Sequence, residues 1–167
     1  THVRNHVITQ LELADAESHS EERDRRLTFV VAGGGFAGTE TIAELCDLVH
    51  SVLRFYPNVD PASLRFVLIH SRDRILPELG PALAGYAQRK LEARGIEFML
   101  NARVAGATGD AVILGEGDPV PTGTLVWTAG NQPNPLLGTL PCERNRAGAV
   151  KATSFPPSRL ARSRLGG

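Results

Sequence analysis

Gly33, Gly35 and Gly38 stand in G-x-G-x-x-G spacing within "LTFVVAGGGFAGTE". The chemistry this spacing performs is anion binding by backbone. The first glycine permits a tight turn after a strand, and the second lets main chain approach a pyrophosphate. The third lets the following helix pack closely on the strand. That helix would present unpaired N–H groups and its positive dipole end to the phosphates. The loop of Gly33, Gly34, Gly35, Phe36, Ala37 and Gly38 is therefore a candidate dinucleotide cradle. The competing reading is a glycine turn required only for packing.

A dinucleotide fingerprint usually continues with a carboxylate at the end of the second strand, where it accepts the adenosine ribose hydroxyls. Here that strand ends in His70, Ser71 and Arg72. The separation from Gly38 exceeds the usual ~20 residues, and a long helix with the "YPNVDPAS" connection accounts for the extra length. A carboxylate repels a 2′-phosphate; His and Arg do the reverse. One reading is tolerance of, or preference for, NADPH over NADH. The other is a solvated strand end where Arg72 and Arg74 pair with Asp73 or Glu78.

Other reactive side chains are less organised. His2, His6, His19 and His50 lack metal-ligand spacing and read as surface groups, so no metal is expected. Cys46 and Cys142 are far apart and form no C-x-x-C, which points to reduced, structural thiols.

The elements that must position the loop follow from periodicity. Val3, Val7, Leu11 and Ala14 mark one stripe of a leading helix. "DAESHSEERDRR" is charged without periodicity and reads as a mobile, solvated connector. "LTFVVAG" is a continuous apolar run, as suits a strand buried on both faces. Ile42, Leu45, Cys46, Val49 and Val52 keep helical spacing up to the prolines of "FYPNVDP". "LRFVLIH" is a second buried strand. Leu83, Tyr86, Ala87 and Leu91 mark a second helix, with Gly95 as a left-handed cap, and "IEFML" is a third strand.

This alternation predicts an α/β fold with a Rossmann-type parallel sheet and right-handed crossovers. The Gly/Pro-punctuated stretch 103–123 reads as a small antiparallel β-meander insertion, and "TLVWTAG" as a closing buried strand with Trp127 in the core. "KATSFPPSRLARSRLGG" has little to bury and reads as a disordered tail. The domain expectation is a lead helix and charged connector over 1–26 and a nucleotide-binding domain over 27–137. Residues 138–167 would be a partial return to a missing partner domain, ending in that tail.

Composition sets the limits. Lys+Arg and Asp+Glu balance at 18 each in 167 residues, so no net field recommends nucleic acid as a partner. The apolar runs are too short to span a bilayer. No secretory signal is seen at the start, so a cytoplasmic location is expected.

Four segments in order, "FVVAGGGFAGTETIAEL", "FYPNVDP", "RDRILPEL" and "LVWTAGNQPNP", resemble the nicotinamide-binding domain of type II NADH dehydrogenases. These belong to the FAD-dependent pyridine nucleotide–disulfide oxidoreductase superfamily, whose proteins carry two dinucleotide-binding domains. The resemblance covers about residues 1–150. It implies that the glycine loop holds NADH or NADPH rather than FAD, and that FAD belongs to the full-length protein and is not expected on this chain alone. The chain would be an excised central domain.

Carried over by position, Glu40 would lie near the nicotinamide–flavin contact; its simpler reading is a first-turn carboxylate favoured by the helix dipole. His70, Ser71 and Arg72 would meet the adenosine ribose. Thr128, Ala129 and Gly130 would form the strand end beneath the nicotinamide. The implied reaction passes hydride from NAD(P)H to flavin and then electrons to a quinone or other acceptor. The implied location is then peripheral on the cytoplasmic face of a membrane, and a homodimer is an allowed assembly. Two other classes compete: a non-catalytic domain that has lost nucleotide binding, and another Rossmann-type enzyme such as a methyltransferase.

Overall fold

The computed structural model describes residues 2–130, 134–139, 141–144, 148 and 150–151. The expected disordered tail, apart from Lys151, lies outside the described residues. The chain divides into a unit from Thr1 to Ala129 and another from Gly130 to Gly167.

In the first unit Ile96–Met99, Arg65–Ile69, Thr28–Ala32 and Thr124–Trp127 lie side by side, in that order, as a parallel sheet. Its strands are β1 (Thr28–Ala32), β2 (Arg65–Ile69), β3 (Ile96–Met99) and β7 (Thr124–Trp127). All five residues of β1 are buried, which is why its sequence is apolar without alternation. The two faces separate by parity, as the strand period of two requires. Phe29, Val31, Phe66 and Leu68 face a helical layer, whereas Val30, Val67 and Ile69 face the meander.

The helical layer holds α1 (His2–Ala16), α3 (Phe36–Val52) and α4 (Pro81–Glu92). Val7, Leu11 and Ala14 of α1 are fully buried in the same core as Phe29, Ile42 and Val49. Val3 is exposed, so the buried stripe starts one turn later than expected. α4 departs further. Only Ala84 and Leu91 are buried, while Leu83 and Tyr86 stand exposed. This helix leads into β3, the edge strand, where the sheet offers less surface to cover. Gly95, at φ +84°, turns the chain from α4 into β3 as expected.

The meander is an antiparallel sheet of β4 (Val104–Ala107), β5 (Ala111–Leu114) and β6 (Val120–Pro121). Val112, Leu114 and Val120 close the second core against Val30 and Val67. The fold is thus the expected α/β class, with a parallel sheet and a separate antiparallel one.

The charged connector is a correction. Residues Ser20–Arg26 form a helix, α2, with no buried residue. Glu21 and Glu22 in its first turn and Arg25 and Arg26 in its last complement the helix dipole. Glu22 also pairs with Arg25 and Arg26 one turn on, and Arg25 reaches Asp110 at 3.0 Å. Ion pairs rather than an apolar stripe organise this segment, so hydrophobic periodicity passes over it.

β7 is pinned to β1 at both ends. The Thr122 hydroxyl donates to the Thr28 carbonyl at 2.6 Å, and the Thr128 hydroxyl donates to the Ala32 carbonyl at 3.0 Å. His6, expected at the surface, is half-buried, with Nε2 3.0 Å from the Gly123 carbonyl oxygen. The second unit holds a 3-10 turn at Pro135–Thr139 and a bridge between Arg144 and Val150.

Candidate dinucleotide-binding site

The chain moves from β1 outward to β2 and β3, then returns to place β7 on the other side of β1. That reversal makes a switch point beyond the carboxyl ends of β1 and β7, where open α/β sheets bind ligands. The glycine loop and Thr128 lie there.

Three of the loop's four glycines have causes within the chain. Gly33 adopts φ +124°, and a Cβ on it would press into the Thr128 side chain. Its N–H donates to the Ile69 carbonyl at 2.9 Å. A Cβ on Gly34 would run into the His70 ring, and one on Gly38 would fall on the Gly33 carbonyl oxygen. Gly35 is different. Its φ of −78° and ψ of −173° suit any residue, and nothing lies within 4 Å of where its Cβ would be. Neither conformation nor packing requires glycine at this position.

The helix following the loop supplies donors. Thr39 N–H donates to the Gly35 carbonyl at 3.0 Å, the first turn-closing bond of α3. The amides of Phe36, Ala37 and Gly38 precede that bond and have no intrahelical partner. Phe36 and Ala37 are exposed, so solvent or a ligand can reach this end of the helix.

His70 lies inside the site. Its Nδ1 accepts the Gly34 N–H at 3.0 Å, and its Nε2 is buried with no protein partner. Burial first, then the nearby Arg72 guanidinium, hold this imidazole below its ordinary value, against the opposing fields of Glu78 and Asp73. Ser71 and Arg72 are exposed just beyond the strand end. Among the described residues neither Arg72 nor Arg74 forms a salt bridge with Asp73 or Glu78.

Two residues were not singled out from sequence. Leu76 N–H donates to the Gly34 carbonyl at 2.6 Å from a left-handed backbone, φ +48°. Asn101, at φ +54°, donates its N–H to the Arg72 carbonyl at 2.9 Å. Asn tolerates this region and was a legible signal, whereas nothing in the composition around Leu76 marks it.

Thr128 holds the end of β7 against Gly33, and Ala129 is exposed beyond it. Gly130, at φ +81°, begins the second unit. Trp127 corrects the expectation of a core residue: it is 57% exposed, its Nε1 donating to the Ala129 carbonyl at 2.8 Å. The strand runs past the packed layers before it ends. Glu40 is exposed, one turn into α3, on an apolar groove of about 450 Å³ shared with Phe36, Leu76 and Lys90.

A larger depression, about 980 Å³, lies at the opposite end of the strands beside Thr28, Arg65 and Glu97. Glu22, Asp24, Glu97 and Asp110 line it, and Arg25 and Arg65 there are already paired with carboxylates. It is a poor host for an anion. Among the described residues no group of His, Cys, Asp or Glu could hold a metal. Cys46 and Cys142 are free, and burial pushes the Cys46 thiol up, away from nucleophilic use.

A glycine loop at the switch point of a parallel α/β sheet is the arrangement in which open sheets of this kind bind ligands, and comparison gives the family. Residues 3–156 match the model of the pyridine nucleotide-disulphide oxidoreductase family, and the chain belongs to that family. It is 32% identical over 158 residues to the type II NADH:quinone oxidoreductase NdhA of Mycobacterium tuberculosis, covering 89% of this chain and 34% of that protein. It is also 32% identical over 142 residues to the external alternative NAD(P)H-ubiquinone oxidoreductase B4, mitochondrial, of Arabidopsis thaliana, covering 81% and 24%. The structure of NDH2 from Plasmodium falciparum in complex with NADH superposes with a TM-score of 0.71. At 21% identity it covers 85% of this chain and 31% of that one. The chain spans about a third or less of the relatives it matches. Among the described residues no helix is long and apolar enough to cross a membrane.

Proposed function

We propose that residues 27–137 bind NAD(P)H and serve an FAD-dependent NADH:quinone dehydrogenase-like flavoprotein. The observation that carries this is Gly35. Its neighbours in the loop are glycine because Thr128, His70 and the Gly33 carbonyl leave no room for a side chain. Gly35 faces open space, so the requirement for a bare backbone there comes from outside the protein, from a pyrophosphate in van der Waals range.

The roles of the other residues follow. The first-turn amides of Phe36, Ala37 and Gly38 donate to the phosphates, helped by the helix dipole. Ser71 and Arg72 meet the adenosine ribose, and the unpaired Arg72 accommodates a 2′-phosphate as readily as a hydroxyl. Thr128 and Ala129 support the nicotinamide end. Glu40 sits on the apolar groove leading from the loop, where a carboxylate orients the nicotinamide toward its electron acceptor.

When bound, NAD(P)H supplies the hydride that a flavin in the whole protein receives. The residues of this chain contribute position and exclusion of water rather than acid–base chemistry. In the whole protein the electrons pass on to a quinone, with the protein peripheral on the cytoplasmic face of a membrane.

Calorimetric titration with NADH, NADPH and S-adenosylmethionine tests the reading. Saturable binding of either nicotinamide dinucleotide, and none of S-adenosylmethionine, is the expected result. Binding of none of them would favour a non-catalytic domain; S-adenosylmethionine alone would place the chain among methyltransferases.

A further inference from the structure

The usual partner of an adenosine ribose at the end of a second strand is a carboxylate with two free acceptor oxygens. His70 stands at that place but is turned inward. Its Nδ1 is already engaged by the Gly34 N–H at 3.0 Å. A ring accepting at Nδ1 carries its proton at Nε2, which makes that atom a donor only. His70 therefore has no acceptor left for ribose hydroxyls.

What it does have is a hold on the loop. Gly34 is gripped through both of the peptide groups that flank its Cα. The N–H is held by His70, and the carbonyl accepts from Leu76 at 2.6 Å. Leu76 makes its bond from the left-handed region, a conformation a branched side chain keeps only where its surroundings enforce it. The imidazole also fills the space that a Cβ on Gly34 would need. Gly34 is thereby fixed immediately before Gly35, the residue against which the pyrophosphate would pack.

We infer that His70 is a positioning residue, a latch whose neutral imidazole holds the glycine loop in its dinucleotide-binding geometry. The inference rests on the dinucleotide reading above for its consequence, though not for the latch itself. A protonated ring would set an N–H at Nδ1 against the Gly34 N–H, which replaces a hydrogen bond with a repulsion. The charged groups acting on the ring are Arg72, Asp73 and Glu78, all from the loop after β2. The glycine loop and residues 99–102, which pair with the backbone of His70, bring no titratable side chain. The latch should open as pH falls below the ordinary imidazole range, and selection at the ribose passes to Ser71 and Arg72.

The test follows amide hydrogen exchange of Gly34 in the ligand-free 167-residue chain, with NADH affinity measured alongside. In the wild type, Gly34 is expected to be protected at neutral pH and to lose protection, relative to its intrinsic rate, as His70 titrates. Asn Oδ1 can occupy the place of Nδ1. His70→Asn should therefore keep the protection, make it independent of pH, and bind NADH within about twofold of wild type. His70→Ala should lose it and weaken NADH about fivefold, the scale of one neutral hydrogen bond.

An unprotected or pH-indifferent Gly34 in the wild type overturns the latch, whatever the variants do. So does an Asn variant as impaired as the Ala one. A protected, pH-sensitive Gly34 in a chain that binds no dinucleotide would leave the latch standing and remove the dinucleotide reading instead.

Discussion

The carbonyl oxygen of Gly33 occupies the place where a Cβ on Gly38 would sit. The two glycines are one packing unit, closing the start of α3 onto the end of β1. Gly38→Val forces that contact apart and overpacks the helix–strand junction, at a cost of about 1–3 kcal/mol or more. Thermal unfolding should show the melting temperature falling by about 2–4 °C for each kcal/mol. A melting temperature equal to wild type would show that the loop has room to spare.

Arg72 is exposed and free of salt bridges to its acidic neighbours Asp73 and Glu78. Arg72→Ala is expected to weaken NADPH binding by about 1–3 kcal/mol, the range of a lost charged hydrogen bond. NADH should change much less. Calorimetry with both cofactors checks this, and equal losses would mean that Arg72 does not read the 2′-phosphate.

Glu22 organises α2. The Arg25 side chain bonded to it, then the charges of Arg25 and Arg26, hold its carboxyl below the usual value. A depressed carboxylate contributes stability above its unfolded value and loses it as pH falls through its folded one. Glu22→Gln should therefore melt earlier than wild type at neutral pH. The two curves should converge at pH below the ordinary glutamate range. A gap that persists unchanged into acid would locate the role of Glu22 in packing.

Trp127 is the single tryptophan of the chain and lies next to Thr128 at the end of β7. At 57% exposure its fluorescence should be that of a hydrated indole, red-shifted and quenched by acrylamide before any unfolding. A blue-shifted, protected emission would return it to the core.

Much of this was legible because burial leaves a strong mark on sequence. β1 and β2 are covered on both faces, so their apolar runs stand out, and the glycine spacing between β1 and α3 fixes the loop. The weaker readings were at positions where tertiary context decides. Leu83 and Tyr86 keep helical spacing, yet α4 lies at the sheet edge and leaves them in solvent. Trp127 has a core composition and a strand-end position. α2 is held by ion pairs that no apolar period reveals. His70 was legible as a departure from a carboxylate, but its inward turn toward Gly34 depends on two loops meeting in space. Leu76 carries no sign of its left-handed backbone.

The central claim is that a pyrophosphate packs against Gly35. The most direct measurement is NAD(P)H affinity of Gly35→Ala beside wild type, with ligand-free melting recorded for both. The added methyl meets no protein atom within 4 Å, so the melting temperature should be nearly unchanged. Affinity should fall tenfold or more, about 1.4 kcal/mol. An Ala variant that folds normally and binds NAD(P)H as tightly as wild type would contradict the account.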